Sequence, residues 1–330
     1  MTKLKTNNYK LITIVGPTAS GKSEMAVKLA LRLGSGQAKK RFGINGAEVI
    51  SADSRQVYKG MDIGTGKVTP DTKNSSNFST GQAKKKYIFT HKGIPHYCID
   101  IASPKRRFTV VQYRKLALKA INKIFKKNKV PILCGGTGFY IQAVVDGIVI
   151  PEIKPDWKLR RKLEKKSIEK LYKMLKKLDP KRAKTIEIKN KRRLIRALEI
   201  IIKTKKPVPA LKKKPLPCSV LMVGIKKSPE ELKKLIKKRF LKWLKDGFLK
   251  EIEKLKKSGL SWKKIEEFGI HYRVVAQYLQ KQISYQEMME SSLKELQNYV
   301  KRQMTWFKRD KRIHWVKSYK EAEKLVKNFL

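Results

Sequence analysis

The sequence has little cysteine. Among its 330 residues only Cys98, Cys134 and Cys218 are cysteines, and none of them lies in a CxxC pair. An odd number of widely spaced cysteines argues against a disulfide framework and against structural zinc. The four histidines show no metal-ligand spacing either. We therefore expect a protein of a reducing compartment.

Long apolar runs are also missing. The first apolar run, Leu11 to Val15, is too short for the core of a signal peptide, and a folded-domain motif follows it at once. No stretch of the sequence approaches the length needed to cross a bilayer. We expect a soluble cytoplasmic protein with no membrane partner.

Acidic residues are few, at 27 against 80 lysines and arginines, and the formal net charge is +53. A chain with this charge repels itself strongly unless a polyanion binds it, which favours a nucleic-acid partner. The alternative is a general enrichment in lysine over the whole surface. Because lysine is spread along the entire chain, that enrichment explains part of the excess.

What the sequence does contain is an alternation of short apolar runs and helical patterns. The runs at 11–15, 48–52, 130–134 and 220–225 predict buried strands, with a last short strand at 313–316. Apolar residues recur at helical spacing between them, first after residue 24 and again after residue 111. The pattern predicts an α/β fold, a P-loop NTPase-like and mostly parallel sheet flanked by helices.

Residues 151–215 differ from the rest of the chain. Lysine-rich helical patterns dominate there without a strand signal, which predicts an all-helical insertion domain. The α/β core then comprises residues 1–150 and 216–330, the latter ending in long helices. Two stretches rich in Gly, Ser, Asn and Lys, 34–46 and 69–86, predict loops.

The strongest single motif is GPTASGKS at 16–23, which satisfies GxxxxGK[ST] between a predicted strand and a predicted helix. Loop amides and the helix N-terminus attract an anion, Lys22 adds a positive charge, and Ser23 can hold Mg²⁺. An ordinary strand–helix turn is the alternative. The residues predicted to contact a diphosphate or triphosphate are Gly16, Pro17, Thr18, Ala19, Ser20, Gly21, Lys22 and Ser23.

A hydrolysing NTPase usually carries an aspartate at the end of a later apolar strand. Here the strand at 130–134 runs into Gly135 and Gly136 instead. Asp53 is the acid at a strand end near the loop. The pattern leaves open whether Asp53 serves a metal ion or has another role.

The segment from Ser51 to Thr65, SADSRQVYKGMDIGT, resembles the most diagnostic segment of the tRNA dimethylallyltransferases. The GPTASGKS loop has that family's form, and further matches follow in the family's order. They are GIPHY at 93–97, GGTGFY at 135–140, RLIRALE at 193–199, KRF at 238–240 and KRQMTWF at 301–307. The resemblance runs from Ile12 to Val316, which is nearly the whole chain.

The resemblance implies transfer of a dimethylallyl group from dimethylallyl diphosphate to N6 of the adenosine 3′ to the anticodon (position 37) in tRNA. Asp53 would accept the N6 proton as a general base; alternatives for it are a second-shell Mg²⁺ ligand or a helix N-cap. Lys22, Arg239 and Mg²⁺ on Ser23 would neutralise the diphosphate, unless Arg239 is a solvated helix charge.

The resemblance also implies contacts to the anticodon stem-loop of tRNA. For Thr137 the alternative to a tRNA contact is a hydroxyl that caps a helix. For each arginine of the insertion the alternative is a solvated basic residue. The chain is expected to act as a monomer. The residues implied to contact tRNA are Asp53, Ser54, Arg55, Gln56, Thr137, Arg160, Arg192, Arg193 and Arg196.

Some residues depart from the family pattern. His271 stands where a glycine usually precedes the tyrosine, Gly66 where alanine is usual, and Lys191 and Gln297 are further differences. These put the local tRNA contacts in doubt but leave the P-loop, Asp53 and Thr137 untouched. A P-loop kinase of a small molecule or nucleoside is the competing interpretation, although it would need neither so basic a chain nor the insertion. A third is a non-catalytic RNA-binding protein.

Overall fold

A computed structural model of the protein describes residues 9–71, 89–149, 153–210 and 212–330. Its contacts divide the chain into a core unit, residues 1–147 and 215–330, and a second unit, residues 148–214. In the described residues no helix combines the length and the apolar character that a membrane span requires.

The strands follow the chain at short intervals. They are β1 (Lys10–Val15), β2 (Ala47–Ser51), β3 (Phe89–His91), β4 (Ile94–Tyr97), β5 (Val130–Gly135), β6 (Ile148–Val149), β7 (Lys212–Lys213), β8 (Ser219–Ile225) and β9 (Ile313–Val316).

Helices fill most of the remaining chain. In the core unit they are α1 (Lys22–Leu33), α2 (Gly36–Phe42), α3 (Val110–Phe125), α4 (Gly138–Val145), α9 (Pro229–Lys245), α10 (Phe248–Lys257), α11 (Trp262–Glu266), α12 (Ile270–Leu279), α13 (Tyr285–Phe307) and α14 (Tyr319–Phe329). In the second unit they are α5 (Trp157–Glu164), α6 (Ile168–Leu178), α7 (Pro180–Thr185) and α8 (Lys191–Thr204).

The main sheet of the described residues has seven strands in the order β3-β4-β2-β5-β1-β8-β9. All its pairs are parallel except β3 with β4, which form an antiparallel hairpin at one edge. The predicted P-loop-like, mostly parallel sheet is confirmed. The hairpin was not predicted from the sequence, because each of its strands has at most four residues and β4 contains a proline.

Helices cover both faces of this sheet, as alternation along β1 shows. Ile12 and Ile14 belong to one apolar cluster with Leu29 of α1, whereas Leu11 and Val15 belong to the other, with α3 and the C-terminal helices. Successive strand residues point to opposite faces, so burial of both sets requires a layer on each side. The strand ends that carry the predicted site are thereby held rigidly.

The predicted loop at 34–46 is wrong, because it contains α2. Ser35 caps this helix by accepting a hydrogen bond from the amide of Ala38, and Gly43 ends it at φ 64°. The run Gln-Ala-Lys-Lys-Arg consists of good helix formers, so a serine cap and a glycine stop suffice. Most of the other predicted loop, 69–86, lies outside the described residues.

The second unit is helical but not entirely so, because it also contains a strand pair that the sequence did not reveal. Ile148 pairs with Lys213 and Val149 with Lys212 in an antiparallel ribbon. Its helices pack around a separate apolar cluster built mainly from leucines of α6 and α8. This unit therefore has a core of its own.

A buried carboxylate organises one side of the second unit. Glu199 is fully buried. It accepts two hydrogen bonds from the Arg160 guanidinium, at 2.8 and 2.7 Å, and one from the amide of Asp156 at 2.7 Å. Arg196 approaches the same carboxylate at 2.5 Å. Together these contacts tie α5 to α8.

We expect Glu199→Ala to destabilise the second unit by on the order of 3 kcal/mol, since it removes the shared partner of two arginines and a buried amide. Glu187→Ala, which breaks the exposed pair with Arg193 at 3.1 Å, should cost less than about 1 kcal/mol. Hydrogen exchange of amides in 153–210 measures both. Equal protection in the two variants would contradict the structural role of Glu199.

Candidate active site

The phosphate-binding loop joins β1 to α1. Gly21 has φ 90° and Ala19 has φ 63°, so the chain turns twice through the left-handed region before Lys22 starts the helix. Close packing explains the first glycine, because a Cβ on Gly16 would lie 2.8 Å from Ser20 Oγ. Lys22 Nζ donates to the carbonyl of Pro17 at 3.1 Å. The loop thus has the curled form that its glycines predict.

A cavity of about 470 Å³ lies beside this loop. It brings together residues from four separate segments of the core unit. Most of the predicted anion-contacting residues line it, whereas Gly16, Pro17 and Ser20 form the loop without lining the cavity. The lining residues with predicted roles are Thr18, Ala19, Gly21, Lys22, Ser23, Asp53, Gln56 and Arg239.

Five basic side chains and two carboxylates line this cavity, and the buried Lys22 and Arg239 lie near Asp53. Burial, together with repulsion from Arg239, lowers the pKa of Lys22 to about 8, against an opposing attraction from Asp53. Burial likewise lowers the pKa of the Arg239 guanidinium, while Asp53 raises it. Arg239 is therefore not a solvated helix charge. The site holds an excess of positive charge in a poorly solvated place, which is the arrangement that an anionic ligand stabilises.

Asp53 lies two residues after β2 and is held by backbone amides of the turn that follows it. Its Oδ1 accepts hydrogen bonds from the amides of Arg55 at 2.8 Å and Gln56 at 3.3 Å. Neither amide uses Oδ2. The carboxylate thus caps the turn that follows it and is fixed in direction. It presents its other oxygen for a second role.

Thr137 links the ends of β2 and β5. Its Oγ1 accepts a hydrogen bond from the amide of Ser54 at 3.0 Å, and its own amide donates to the carbonyl of Ala52 at 3.1 Å. Although Thr137 precedes α4, its side chain makes no capping bond to that helix. The interpretation as a capping hydroxyl is therefore wrong. Thr137 lies beside the turn that Asp53 begins.

The loop at 61–67 forms the wall behind Arg239. A Cβ on Gly66 would lie 2.4 Å from Arg239 Nη2, so the guanidinium packs directly on the backbone of this loop. Gln56 Nε2 donates to the carbonyls of Thr65 and Gly66, at 3.2 and 3.3 Å. The Gln56 side chain is thereby engaged within the protein, and its predicted tRNA contact stays a prediction.

Two residues that sequence reasoning missed hold the same loop. Glu251, which is buried, accepts hydrogen bonds from three successive amides, those of 62–64, and from the Tyr272 hydroxyl at 2.7 Å. His271 Nε2 lies 2.6 Å from the Gly64 carbonyl oxygen, and burial lowers the pKa of His271 to about 4. A neutral imidazole that donates through Nε2 fits both observations. The helical period of α10 places Glu251 on its buried face, which was the available signal.

The predicted tRNA-contacting arginines of the second unit fall into two groups. Arg160 and Arg196 are paired with the buried Glu199. Arg193 pairs with the exposed Glu187, and Arg192 is exposed. The first pair therefore contributes to the stability of its unit, while the second lies on its surface. For all four the predicted tRNA contact stays a prediction.

The cavity can accommodate a metal ion only with help from a ligand. Within the described ranges, no group of three or more His, Cys, Asp or Glu side chains could hold a metal. Ser23 and Asp53 nevertheless line the same cavity. Mg²⁺ commonly takes one or two protein oxygens, with phosphate oxygens and water completing its shell. The Ser23 hydroxyl and the Asp53 carboxylate, beside the phosphate-binding loop, fit that requirement.

The sheet topology and the curled loop define a P-loop protein whose cavity is suited to a diphosphate or triphosphate. The sequence model of the IPP transferase family matches residues 56–310, and the chain belongs to that family. The tRNA dimethylallyltransferase of Acetivibrio thermocellus is 37% identical over 96% of this chain and 95% of its own length. That of Halothermothrix orenii is 35% identical over 98% of this chain and 94% of its own.

Solved structures agree with this membership. The tRNA isopentenylpyrophosphate transferase of Bacillus halodurans superposes with a TM-score of 0.65 at 32% sequence identity, covering 98% of this chain and 95% of its own. The similarity thus extends over both units of the chain and is not confined to the P-loop.

The depressed pKa of Lys22 makes a prediction about stability. Because the folded pKa of about 8 lies below the ordinary value of 10.5, the unfolded chain binds more protons between these two pH values, and stability rises with pH there. We expect Lys22→Met to stabilise the ligand-free protein at pH 7 by on the order of 1–3 kcal/mol, and this gain to vanish as pH rises from 8 to 10.5.

Thermal denaturation of both proteins across pH 6–11 measures this difference, with Lys28→Met on the exposed side of α1 as a control. Pyrophosphate at pH 7 should reverse the order, because its charge stabilises the Lys22 ammonium. A constant gap between wild type and Lys22→Met across the range would contradict the depressed pKa.

Proposed function

We propose that this protein is a cytoplasmic enzyme that transfers a dimethylallyl group from dimethylallyl diphosphate to N6 of the adenosine 3′ to the anticodon, position 37, in tRNA. The products are N6-dimethylallyladenosine and diphosphate. The observation that carries the proposal is that Lys22, Arg239 and Asp53 line one cavity. The names of its relatives, tRNA dimethylallyltransferases, supply the substrate class.

Asp53 acts on the accepting nucleotide. The N6 lone pair attacks C1 of the dimethylallyl group, the C1–O bond breaks, and its electron pair leaves with the diphosphate. The proton lost from N6 goes to the Asp53 carboxylate. Adenine N6 is a poor nucleophile because its lone pair is delocalised into the ring, so removing this proton as the C–N bond forms lowers the barrier. The amides on Oδ1 orient the carboxylate for this step.

Lys22 and Arg239 act on the leaving group. Negative charge grows on the diphosphate as the C1–O bond breaks, and fixed positive charges in a poorly solvated cavity stabilise that change most strongly. With a pKa of about 8, Lys22 is largely protonated at pH 7 even before an anion binds. The loop amides and the N-terminus of α1 stabilise the same negative charge.

The accepting adenine must leave its stack to reach the cavity. Ser54, Arg55 and Thr137 surround the turn after Asp53 and are proposed to contact the extruded nucleotide and its neighbours. The insertion, taken as residues 151–215, is proposed to contact the anticodon stem-loop, with Arg192 and Arg193 on its surface available for phosphates. We further propose that the protein acts as a monomer, because a single chain is able to bring Lys22, Asp53 and Arg239 into one cavity.

A P-loop kinase would share Lys22, Ser23 and Asp53, so substrate dependence separates the two functions. We propose incubation with unmodified tRNA and dimethylallyl diphosphate, followed by mass analysis of the nucleosides. The transferase adds a five-carbon group to adenosine only when both substrates are present. ATP consumption without RNA, with no alkylated adenosine, would establish the kinase instead.

We expect Asp53→Asn to lower kcat by about 10²- to 10⁴-fold, the usual contribution of a general base, while tRNA binding survives. Asparagine keeps an oxygen for the amides of Arg55 and Gln56, so the turn should persist. Asp53→Ala should lose the same activity. Glu290→Gln, at an exposed carboxylate of α13 that bonds Gln286, is the control. Near-normal turnover in Asp53→Asn would remove the base assignment.

We propose that Mg²⁺ bound to the diphosphate is held by Ser23, where it neutralises charge on the leaving group. Ser23→Ala should then raise the Mg²⁺ concentration needed for half-maximal turnover by about tenfold, roughly the effect of one lost ligand contact of 1.4 kcal/mol. Ser23→Thr, which keeps the hydroxyl, should retain the wild-type requirement. Identical Mg²⁺ titrations for Ser23→Ala and wild type would exclude this ligand.

A further inference from the structure

One face of α13 contacts the turn at 136–138 residue by residue. Trp306 packs its indole on Gly138, where a Cβ would lie 2.2 Å from Trp306 Cδ1. Tyr299, which is partly buried, contacts the Thr137 side chain. Gln303 lies between these two on the same helical face and contacts Gly136. The long C-terminal helix therefore sets the position of the turn that bears Thr137.

Gln303 also reaches the phosphate-binding loop. Its Oε1 accepts a hydrogen bond from the amide of Thr18 at 2.8 Å, and its Nε2 donates to the carbonyl of Gly136 at 2.9 Å. The amide of Thr18 can only donate a hydrogen bond and the carbonyl of Gly136 can only accept one. These two partners therefore fix which end of the carboxamide faces each of them. Gln303 is only 5% exposed.

We propose that Gln303 is a positioning residue that fixes the distance between the phosphate-binding loop and the turn at Gly136–Thr137. This inference rests on the proposed function, because these segments would hold the leaving diphosphate and the accepting nucleotide respectively. Lys22 belongs to the first, and the amide of Ser54, next to Asp53, is bonded to the second. Gln303 thus holds the two reacting partners in register without touching either.

The chemistry of the contact explains why glutamine occupies this position. Glutamate has no N–H group to donate to the carbonyl of Gly136. Methionine has neither the donor nor the acceptor, and the side chain of asparagine is one methylene shorter. A Cβ on Gly136 would lie 2.4 Å from Gln303 Nε2, so no side chain larger than hydrogen fits opposite it without moving the carboxamide. The bridge therefore depends on both residues, and either can be changed to test it.

We expect Gln303→Met to lower kcat about 100-fold, the scale for a misplacement near 1 Å, and to weaken pyrophosphate binding about tenfold. The thermal midpoint and the affinity for an anticodon stem-loop RNA should change little. Gln286→Met, on an exposed turn of the same helix where Gln286 donates a hydrogen bond to Glu290, should leave all four measurements unchanged.

Gly136→Ala provides the second variant, since it displaces the carboxamide while retaining Gln303. It should reproduce the loss in kcat and in pyrophosphate affinity, and should add little to Gln303→Met in the double variant. Turnover of Gln303→Met within threefold of wild type would overturn the inference. So would a loss that active-site titration attributes wholly to unfolded protein. Absence of alkylation by wild type would instead refute the proposed function, and pyrophosphate binding would still test the bridge.

Discussion

The cavity beside the phosphate-binding loop is lined by five basic side chains and only two carboxylates, and the structure around it must hold this imbalance of charge. Lys22 and Arg239 repel each other, and each loses solvation. In the ligand-free protein this charge weakens the fold, as the lowered pKa of Lys22 indicates. A bound diphosphate removes the imbalance. Affinity for the anion and instability without it therefore have the same origin.

Keeping two like charges close together requires a rigid frame, and the C-terminal helices supply it. Arg239 lies over the ring of Trp243 at 5.3 Å, and Trp243 packs against His271 with ring centroids 4.8 Å apart. His271 in turn bonds the Gly64 carbonyl, and the loop returns to Arg239 at Gly66. Because these contacts begin and end at Arg239, its guanidinium has little freedom to move away from Lys22. Because Glu251 anchors the same loop through three amides, the frame is fixed from a second side as well.

The sequence predicted the parts of this structure whose local pattern and tertiary environment agree. Buried parallel strands appear in the sequence as short apolar runs, and the P-loop has a characteristic spacing of glycines and lysine. Both were therefore located within a residue or two. The β3–β4 hairpin was missed because strands of three and four residues carry too little pattern. Helix α2 was missed because its lysines resemble those of a loop.

Contacts between distant segments were the least predictable part of the site. Lys22, Asp53 and Arg239 were named from motifs. Glu251 and His271, which hold the loop behind Arg239, are single residues whose roles depend on long-range packing. Arg160 and Arg196 show the converse. They resembled RNA-binding arginines, yet both pair with a buried glutamate that no local pattern reveals.

The end of β5 explains why the acid of this site follows β2 instead. A hydrolysing P-loop enzyme places a metal-binding aspartate at the end of such a strand. Here a Cβ on Gly135 would lie 2.2 Å from the carbonyl oxygen of Ala52, so this position cannot bear a side chain. The same close approach lets Thr137 bond both Ala52 and Ser54. It therefore brings Asp53 toward the phosphate-binding loop while closing β5 to a carboxylate. The steric contact that excludes a carboxylate from the end of β5 is thus the one that places Asp53, the proposed general base, beside the phosphate-binding loop.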